Sequence, residues 1–327
     1  MPEKYDKLLY LTRDDVEKVE LSMQEVVSVL EEAFLEKSRQ NVEMPPKPGI
    51  HTQKDAFIHA MPCWIPSLQS AGMKWVSGYP GNQEKGLPYI NGLLILNCPE
   101  TGIPTAVMDC TRITAIRTGA VTGLAAKYLA RKDSKIVGML GCGVQGRSNL
   151  EALMVTCPNL QKVYAYDIYP EVSQKYSEEM QNHFNLEVIP VNTPKEAVID
   201  SDIVVTTGPI IKDPDPTIEA EWFKEGALAA PVDFDSYWTR AALHLAEKYL
   251  VDDVDQYRYY HNAGFFKDTP EVTGELAEVI AGNINGRKSE QERIVTMNLG
   301  IALDDMATAI RIYQKAVEKG IGTYLPL

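Results

Sequence analysis

The sequence predicts an α/β protein: a Rossmann-type, doubly wound parallel sheet inserted in a second α/β domain. Three observations predict it. From Lys135 onward, short apolar runs alternate with amphipathic helical stretches, the pattern of right-handed βαβ units whose parallel sheet is covered on both faces. The stretch "IVGMLGCGVQGRSNL", Ile136 to Leu150, places three glycines within six residues between such a run and a helix. Near the end of the sequence, "NLGIALDDMATAIRIYQKAVEKG" reads as a long amphipathic helix that stops at Gly320 and packs back on the first third. The expected division is 1–120 for the first part of the host domain, 121–298 for the Rossmann domain and 299–327 for the returning helix.

The elements follow in order. "TRDDVEKVELSMQEVVSVLEEAFLEKSRQ" reads as an amphipathic helix starting near the capping pattern Ser22-Met23-Gln24-Glu25. "FIHAMPCWI", "AGMKWVSGY" and "INGLLILNC" read as strands separated by Gly, Pro and Asn turns. "TAIRTGAVTGLAAKYLARK" reads as a helix rich in small residues, its basic end suiting a helix C-terminus. Then come strand "SKIVGMLG", helix "VQGRSNLEALMV", strand "QKVYAYD", helix "PEVSQKYSEEMQNHF", strand "LEVIPV", a short helix at "TPKEAVIDS" and strand "DIVVTTG". "GALAAPVDF" and "EKYLVDD" extend the same sheet.

Composition narrows the function. With 327 residues, 45% apolar and 24% charged, the chain is long enough for two domains and a large core. A net charge of −13 and a pI near 4.9 argue against nucleic acid and against an anionic membrane surface, both of which need clustered Lys and Arg. "MPEKYDKLLYLTRDD" has no apolar signal region, and no run approaches the ~18 apolar residues of a membrane span. Five scattered cysteines with no CxxC pair fit reduced thiols in a cytoplasm. Five histidines form no HxxxH or HxH pattern, so no metal is expected. "VDDVDQ" (251–256) reads as a solvated acidic loop, and Asp304 and Asp305, adjacent on a helix, as pointing in different directions.

Gly141, Gly143 and Gly146 satisfy GxGxxG between a strand and a helix. The first glycine permits a tight turn, the second leaves room for a pyrophosphate, and the third allows close helix packing. Val144 and Gln145 begin the helix whose N–H groups face the anion. The competing reading is an ordinary strand-to-helix loop. A second strand ends in Asp167, 26 residues after Gly141, close to the ~20 typical of a ribose-binding acid. A carboxylate there favours NAD(H), since it repels a 2′-phosphate; the alternative for Asp167 is a helix N-cap. Thr206 and Thr207, where a later strand ends, either touch the cofactor or are simply β-branched strand residues.

Together "GMKWVSGYPGN", "GLPYINGLLILNCPETGIPTAVMD", "TAIRTGAVTGLAAKYLA", "GCGVQGR" and "GELAEVIAG" resemble the ornithine cyclodeaminase/mu-crystallin family across nearly the whole chain. The resemblance implies a substrate-binding and dimerisation domain around the Rossmann unit, a homodimer, and hydride transfer between a nicotinamide and the Cα of an amino acid or imine. It implies that Lys47, Lys74 and Arg117 grip the substrate carboxylate, Arg117 by a bidentate fork and Lys74 also assisting at the imine. It implies a catalytic acid/base nine residues after Gly226, at Asp235, with Asp233 competing because "PVDFDSYW" departs from the family's small-residue surroundings. Bulky Phe234, Tyr237 and Trp238 leave the substrate open. The leading expectation is an NAD(H)-dependent ornithine cyclodeaminase-like enzyme forming proline and ammonia. The alternatives are an amino-acid dehydrogenase or imine reductase with net NADH turnover, and a non-catalytic binding protein like mu-crystallin.

Overall fold

A computed structural model describes residues 6–327. The first five residues, part of the stretch read for a leader, lie outside the described residues. The chain divides into two compact units, residues 1–117 with 301–327 and residues 118–300.

The first unit begins with β1 (Lys7–Leu11), α1 (Arg13–Lys18) and α2 (Met23–Ser38), followed by β2 (Gly49–Ile50), β3 (Phe57–Ile65), β4 (Ser70–Gly78), β5 (Ile90–Asn97) and β6 (Pro104–Asp109). The helix α3 (Thr111–Leu129) follows, and the division between units falls within it. Both early helices start at reciprocal capping boxes, Thr12 with Asp15 and Ser22 with Glu25. Only the second box was legible in the sequence; the first opens a separate short helix.

The rest of this unit is α10 (Ala302–Lys319), which ends on left-handed Gly320, and the strand β15 (Thr323–Pro326). Its seven-stranded sheet runs β15-β1-β6-β5-β4-β3-β2, antiparallel except for the β1/β6 pair. Period-two alternation puts His59, Met61, Cys63 and Ile65 on the buried face of β3, with Lys74 opposite Met61. On α2, Val26, Val27, Leu30, Ala33 and Phe34 form a buried stripe, and α10 packs on α2, β3 and β4.

The second unit holds β7 (Ile136–Leu140), α4 (Val144–Thr156), β8 (Lys162–Tyr166), α5 (Pro170–Phe184), β9 (Glu187–Pro190), α6 (Pro194–Val198), β10 (Ile203–Thr206) and β11 (Leu228–Pro231). It continues through α7 (Arg240–Leu243), β12 (Lys248–Val251), α8 (Val254–Asn262), β13 (Gly274–Glu275), α9 (Leu276–Ile280) and β14 (Ile294–Met297). Its eight strands are parallel, in the order β13-β12-β14-β11-β10-β7-β8-β9. This is the doubly wound Rossmann-type sheet. The central strands are mostly apolar because both faces are covered: Val137, Met139, Val205, Leu228 and Val295 are all fully buried. Among the described residues no helix is long and apolar enough to cross a membrane.

The acidic stretch 251–256 differs from its reading as a solvated loop. Asp252 and Asp253 are buried; one accepts the Gly300 N–H at 2.8 Å and the other caps α8 by accepting the Gln256 N–H at 2.6 Å. Each carboxylate accepts an orphan backbone N–H through one oxygen, which accounts for two acids at the end of an interior strand.

The second half of α3 lies against α4. At Gly119 a Cβ would run into the Ser148 carbonyl oxygen, which is backbone and does not swing away. Gly119→Ala gains ~1 kcal/mol of helix propensity and loses about 1–3 kcal/mol to overpacking. The expected outcome is a net destabilisation, read as a lower urea midpoint.

Candidate functional site

In the second unit, β7 passes straight into the glycine loop. Gly141 has φ +97°, and a Cβ there would lie 2.6 Å from the Thr207 Oγ1. At Gly146 a Cβ would meet the Gly141 carbonyl oxygen, so this glycine lets α4 approach the turn. Gly143 differs: nothing lies within 4 Å of a Cβ built there. It is the N-cap of α4 and supplies no side-chain cap, so the N–H groups of the first turn, at Val144 and Gln145, have none from it. Open space above the first-turn amides, at the carboxyl ends of β7 and β10 where the strand order reverses, fits a pyrophosphate.

Asp167 follows β8. Its Oδ2 accepts the Cys142 N–H at 2.8 Å, and Oδ1 accepts the Tyr169 N–H at 3.1 Å. It is not the N-cap of α5, which is Tyr169 with Pro170 behind it. The carboxylate is thereby held beside the glycine loop, as an acid reading an adenosine ribose requires. Thr206 and Thr207 spend their hydroxyls inside the protein, on Asp233 Oδ1 at 2.6 Å and on the Gly141 carbonyl at 2.8 Å. They shape the crevice.

Arg147, which sequence reasoning missed, braces this loop. It donates to the Cys142 carbonyl and, at 3.1 Å, to the Gly143 carbonyl; its Nε bonds Glu179 at 2.9 Å and its guanidinium lies 5.5 Å from the Tyr176 ring centre. The available signal was a cation in the first turn of a helix, where the dipole opposes it.

Asp233 and Asp235 part company. Asp233 is fully buried, with Oδ1 on Thr206 and Oδ2 accepting the Gly208 N–H at 2.7 Å. Burial pushes its carboxyl up to about 7 against those two bonds. Asp235 is only partly buried; burial raises its carboxyl too, opposed by the charge of Lys267. Between them Phe234 has φ +61°, a left-handed conformation rare for an aromatic residue.

The first unit gathers the basic residues. Lys74 is fully buried in mid-sheet, its Nζ donating to Asp305 Oδ1 at 2.6 Å and to Thr114 Oγ1 at 3.4 Å. Arg117 Nε donates to that same Asp305 oxygen at 3.1 Å, and its Nη1 lies 3.5 Å from Asp304 Oδ2. Burial pushes the Lys74 ammonium down, Arg117 adds to this, and Asp305 opposes it. Lys47 is buried as well, and the charges of Lys47 and Lys74 both act on His59. Burial above all takes that imidazole down to about 3, so it stays neutral at pH 7.

Adjacent Asp304 and Asp305, expected to diverge, both reach Arg117. The helix start allows this: Asp304 turns back to accept the Ile301 N–H at 3.1 Å, while Asp305 points inward. Both acids are fully buried on a helix whose other buried positions are mostly apolar. Lys47, Lys74 and Arg117 thus bring three buried cations into the first unit, with Asp304 and Asp305 paired to two of them.

The sequence profile of the Ornithine cyclodeaminase/mu-crystallin family matches residues 7–320. Alanine dehydrogenase from Archaeoglobus fulgidus is 36% identical over 323 residues, 96% of this chain and 97% of that protein. The structure of Thermococcus litoralis Delta(1)-pyrroline-2-carboxylate reductase in complex with NADH and L-proline is similar at a TM-score of 0.88 and 35% identity, over 97% of this chain and all (100%) of that one. An archaeal alanine dehydrogenase dimer with bound NAD has a TM-score of 0.88 and 34% identity, over 98% of this chain and 99% of that one. The glycine loop, the buried cations and a match running almost end to end lead to one assignment: this chain belongs to the Ornithine cyclodeaminase/mu-crystallin family.

Proposed function

We propose that the chain is an NAD(H)-dependent enzyme of amino-acid metabolism that interconverts an amino acid and its imine by hydride transfer at Cα. The observation that carries this reading is the buried pair Lys74 and Arg117, which share one carboxylate oxygen. Gly141, Gly143, Gly146 and the amides of Val144 and Gln145 hold the dinucleotide pyrophosphate, and Asp167 takes the ribose hydroxyls. The bound dinucleotide supplies the hydride acceptor or donor. Arg117 and Lys74, with Lys47, bind the substrate carboxylate and fix its orientation. Asp235 takes the amine proton as the Cα hydride leaves and returns it in the reverse direction. Asp233, with both oxygens already bonded to Thr206 and the Gly208 N–H, holds the ends of β10 and β11 together instead of meeting substrate.

Net oxidoreductase turnover is the favoured version, because an alanine dehydrogenase and a pyrroline-2-carboxylate reductase stand at 36% and 35% identity. A closed cycle from ornithine to proline and ammonia uses the same residues and is the second version. Purified protein is assayed with NADH plus Δ1-pyrroline-2-carboxylate, and with NAD⁺ plus L-alanine, L-proline or L-ornithine, reading NADH absorbance and ammonia. Net change in NADH supports the first version; proline and ammonia from ornithine at constant NADH support the second.

Lys74→Met and Arg117→Lys are each expected to cut kcat/KM by ~10²-fold or more, since lysine cannot reproduce the guanidinium fork. Calorimetric NADH affinity is expected to stay at its wild-type value. Wild-type turnover in both variants would sink the grip, and a wild type with tight NADH binding and no turnover on any of these substrates would favour the non-catalytic reading.

The raised Asp235 carboxyl gives a sign for pH. Amino-acid oxidation needs the carboxylate, so its rate climbs through a midpoint above that of an ordinary aspartate. Imine reduction needs the acid and falls through the same midpoint. Both limbs are expected to vanish in Asp235→Asn, read from kcat profiles in each direction.

A homodimer in a cytoplasmic setting completes the proposal. On the face of the first unit's sheet opposite His59 and Lys74, the cross-strand pair Trp75 and Leu93 is 44% and 45% exposed. Such a pair on an open sheet face suits a self-complementary contact. Trp75→Glu with Leu93→Lys is expected to yield monomers by light scattering, with the buried cluster beneath left intact.

A further inference from the structure

We propose that Asp305 is a positioning residue for the substrate-carboxylate grip: one buried oxygen, Oδ1, holds Lys74 of β4 and Arg117 of α3 together as a single unit set by α10. This rests on the reading of Lys74 and Arg117 as that grip. Lys74 and Asp305 side chains are both completely inaccessible, and the contact bridges 231 positions of sequence. The other Asp305 oxygen, Oδ2, is buried with no hydrogen-bond partner among the described residues. The two cations are therefore what orient this carboxylate, and it orients them. An aspartate on a helix is a firmer reference point than either long side chain, which alone would sample many rotamers.

The arrangement also sets the charge on Lys74. The ammonium faces Arg117 and Thr114 from α3, Cys110 from the turn into α3, His59 from β3 and Asp305 from α10. Thr114 carries no charge, and His59 is neutral at pH 7 and adds none. Burial pushes the Cys110 thiol up to about 11, so it too is uncharged there. Burial and Arg117 both favour the neutral amine, and Asp305 is the anion in contact that opposes them. A neutral Lys74 cannot attract a carboxylate. Removing the Asp305 charge therefore lowers the pH at which Lys74 loses its proton, and substrate affinity begins to fall at that lower pH.

The test reads Lys74 directly. Full-length protein with ¹³C at lysine Cε is titrated by NMR, with the Lys74 signal assigned through Lys74→Arg. Wild-type Lys74 is expected to be protonated at pH 7. In Asp305→Asn its midpoint is expected to drop by about one unit or more, with Asp305→Glu lying closer to wild type. KM for Δ1-pyrroline-2-carboxylate, measured with NADH, is expected to begin rising at correspondingly lower pH, by more than kcat falls.

A Lys74 that is neutral at pH 7 in the wild type overturns the proposal, and so does a midpoint unmoved in both Asp305 variants. Neither result depends on turnover. If Asp305→Asn does not fold, the wild-type titration and Asp305→Glu still decide. A midpoint that moves while KM keeps its wild-type pH dependence identifies the grip as the failed premise and takes the positioning role down with it.

Discussion

Two cations buried in the first unit need a carboxylate, and the chain supplies it from its far end. Removing an ammonium or guanidinium from water costs several kcal/mol even after relaxation, and leaving it unpaired costs more. Lys74 meets that requirement through Asp305, carried by α10, while Arg117 meets both Asp304 and Asp305. The split architecture then has a physical reason. The segment that returns to the first unit after residue 300 delivers the charge that makes mid-sheet Lys74 tolerable. Breaking such a pair by deleting one partner is the costly change; hydrophobic replacement of the whole network would be far gentler on stability. Retention of the ions therefore points to chemistry more than to folding energy.

The second unit solves a different problem with backbone. Its glycine loop needs a left-handed residue in close quarters at Gly141, a close approach at Gly146 and open space at Gly143. The surrounding side chains are committed to holding that shape: Asp167 on the Cys142 amide, Thr207 on the Gly141 carbonyl, Arg147 on the Cys142 and Gly143 carbonyls. A loop so tied leaves the amides of α4 as the groups available to an incoming anion. Preorganisation of this kind lowers the ordering cost of binding.

What could be read beforehand follows from period and length. Long apolar strands bounded by turn residues, such as β3 and β4, and helices with caps, such as α2, announce themselves within a dozen residues. The short strands β1, β6 and β14 do not. β14 lies between β11 and β12, and its four residues become a strand only by pairing with both. The glycine loop was legible because its demands are local. Arg147, Asp304 and Asp305 were not, because their oppositely charged partners Glu179, Arg117 and Lys74 lie 32, 187 and 231 residues away and no periodicity encodes them. The same limit turned Asp252 and Asp253 into an exposed acidic loop on paper, when in the fold they satisfy backbone amides.

The departure at "PVDFDSYW" has a structural account that bears on specificity. A bulky aromatic at Phe234 in the left-handed region costs about 1–3 kcal/mol. Its ring lies 5.0 Å from Tyr260 and 4.9 Å from Phe266, centre to centre, and is 2% exposed. Burying such a ring contributes about 1.5–3 kcal/mol, with more from edge contacts, enough to offset the strain. Trp238, also 2% exposed, packs edge-on to Phe223. Neither ring is free to line a substrate pocket: both are core of the second unit. The strained turn has a consequence of its own, since it sends two acids that are two residues apart to different fates. Asp233 turns into the interior, onto Thr206 and Gly208, and Asp235 keeps some access to solvent. An extended backbone would place residues i and i+2 on one face; the left-handed residue between them breaks that rule. The bulk at this position therefore acts on how the two carboxylates are presented.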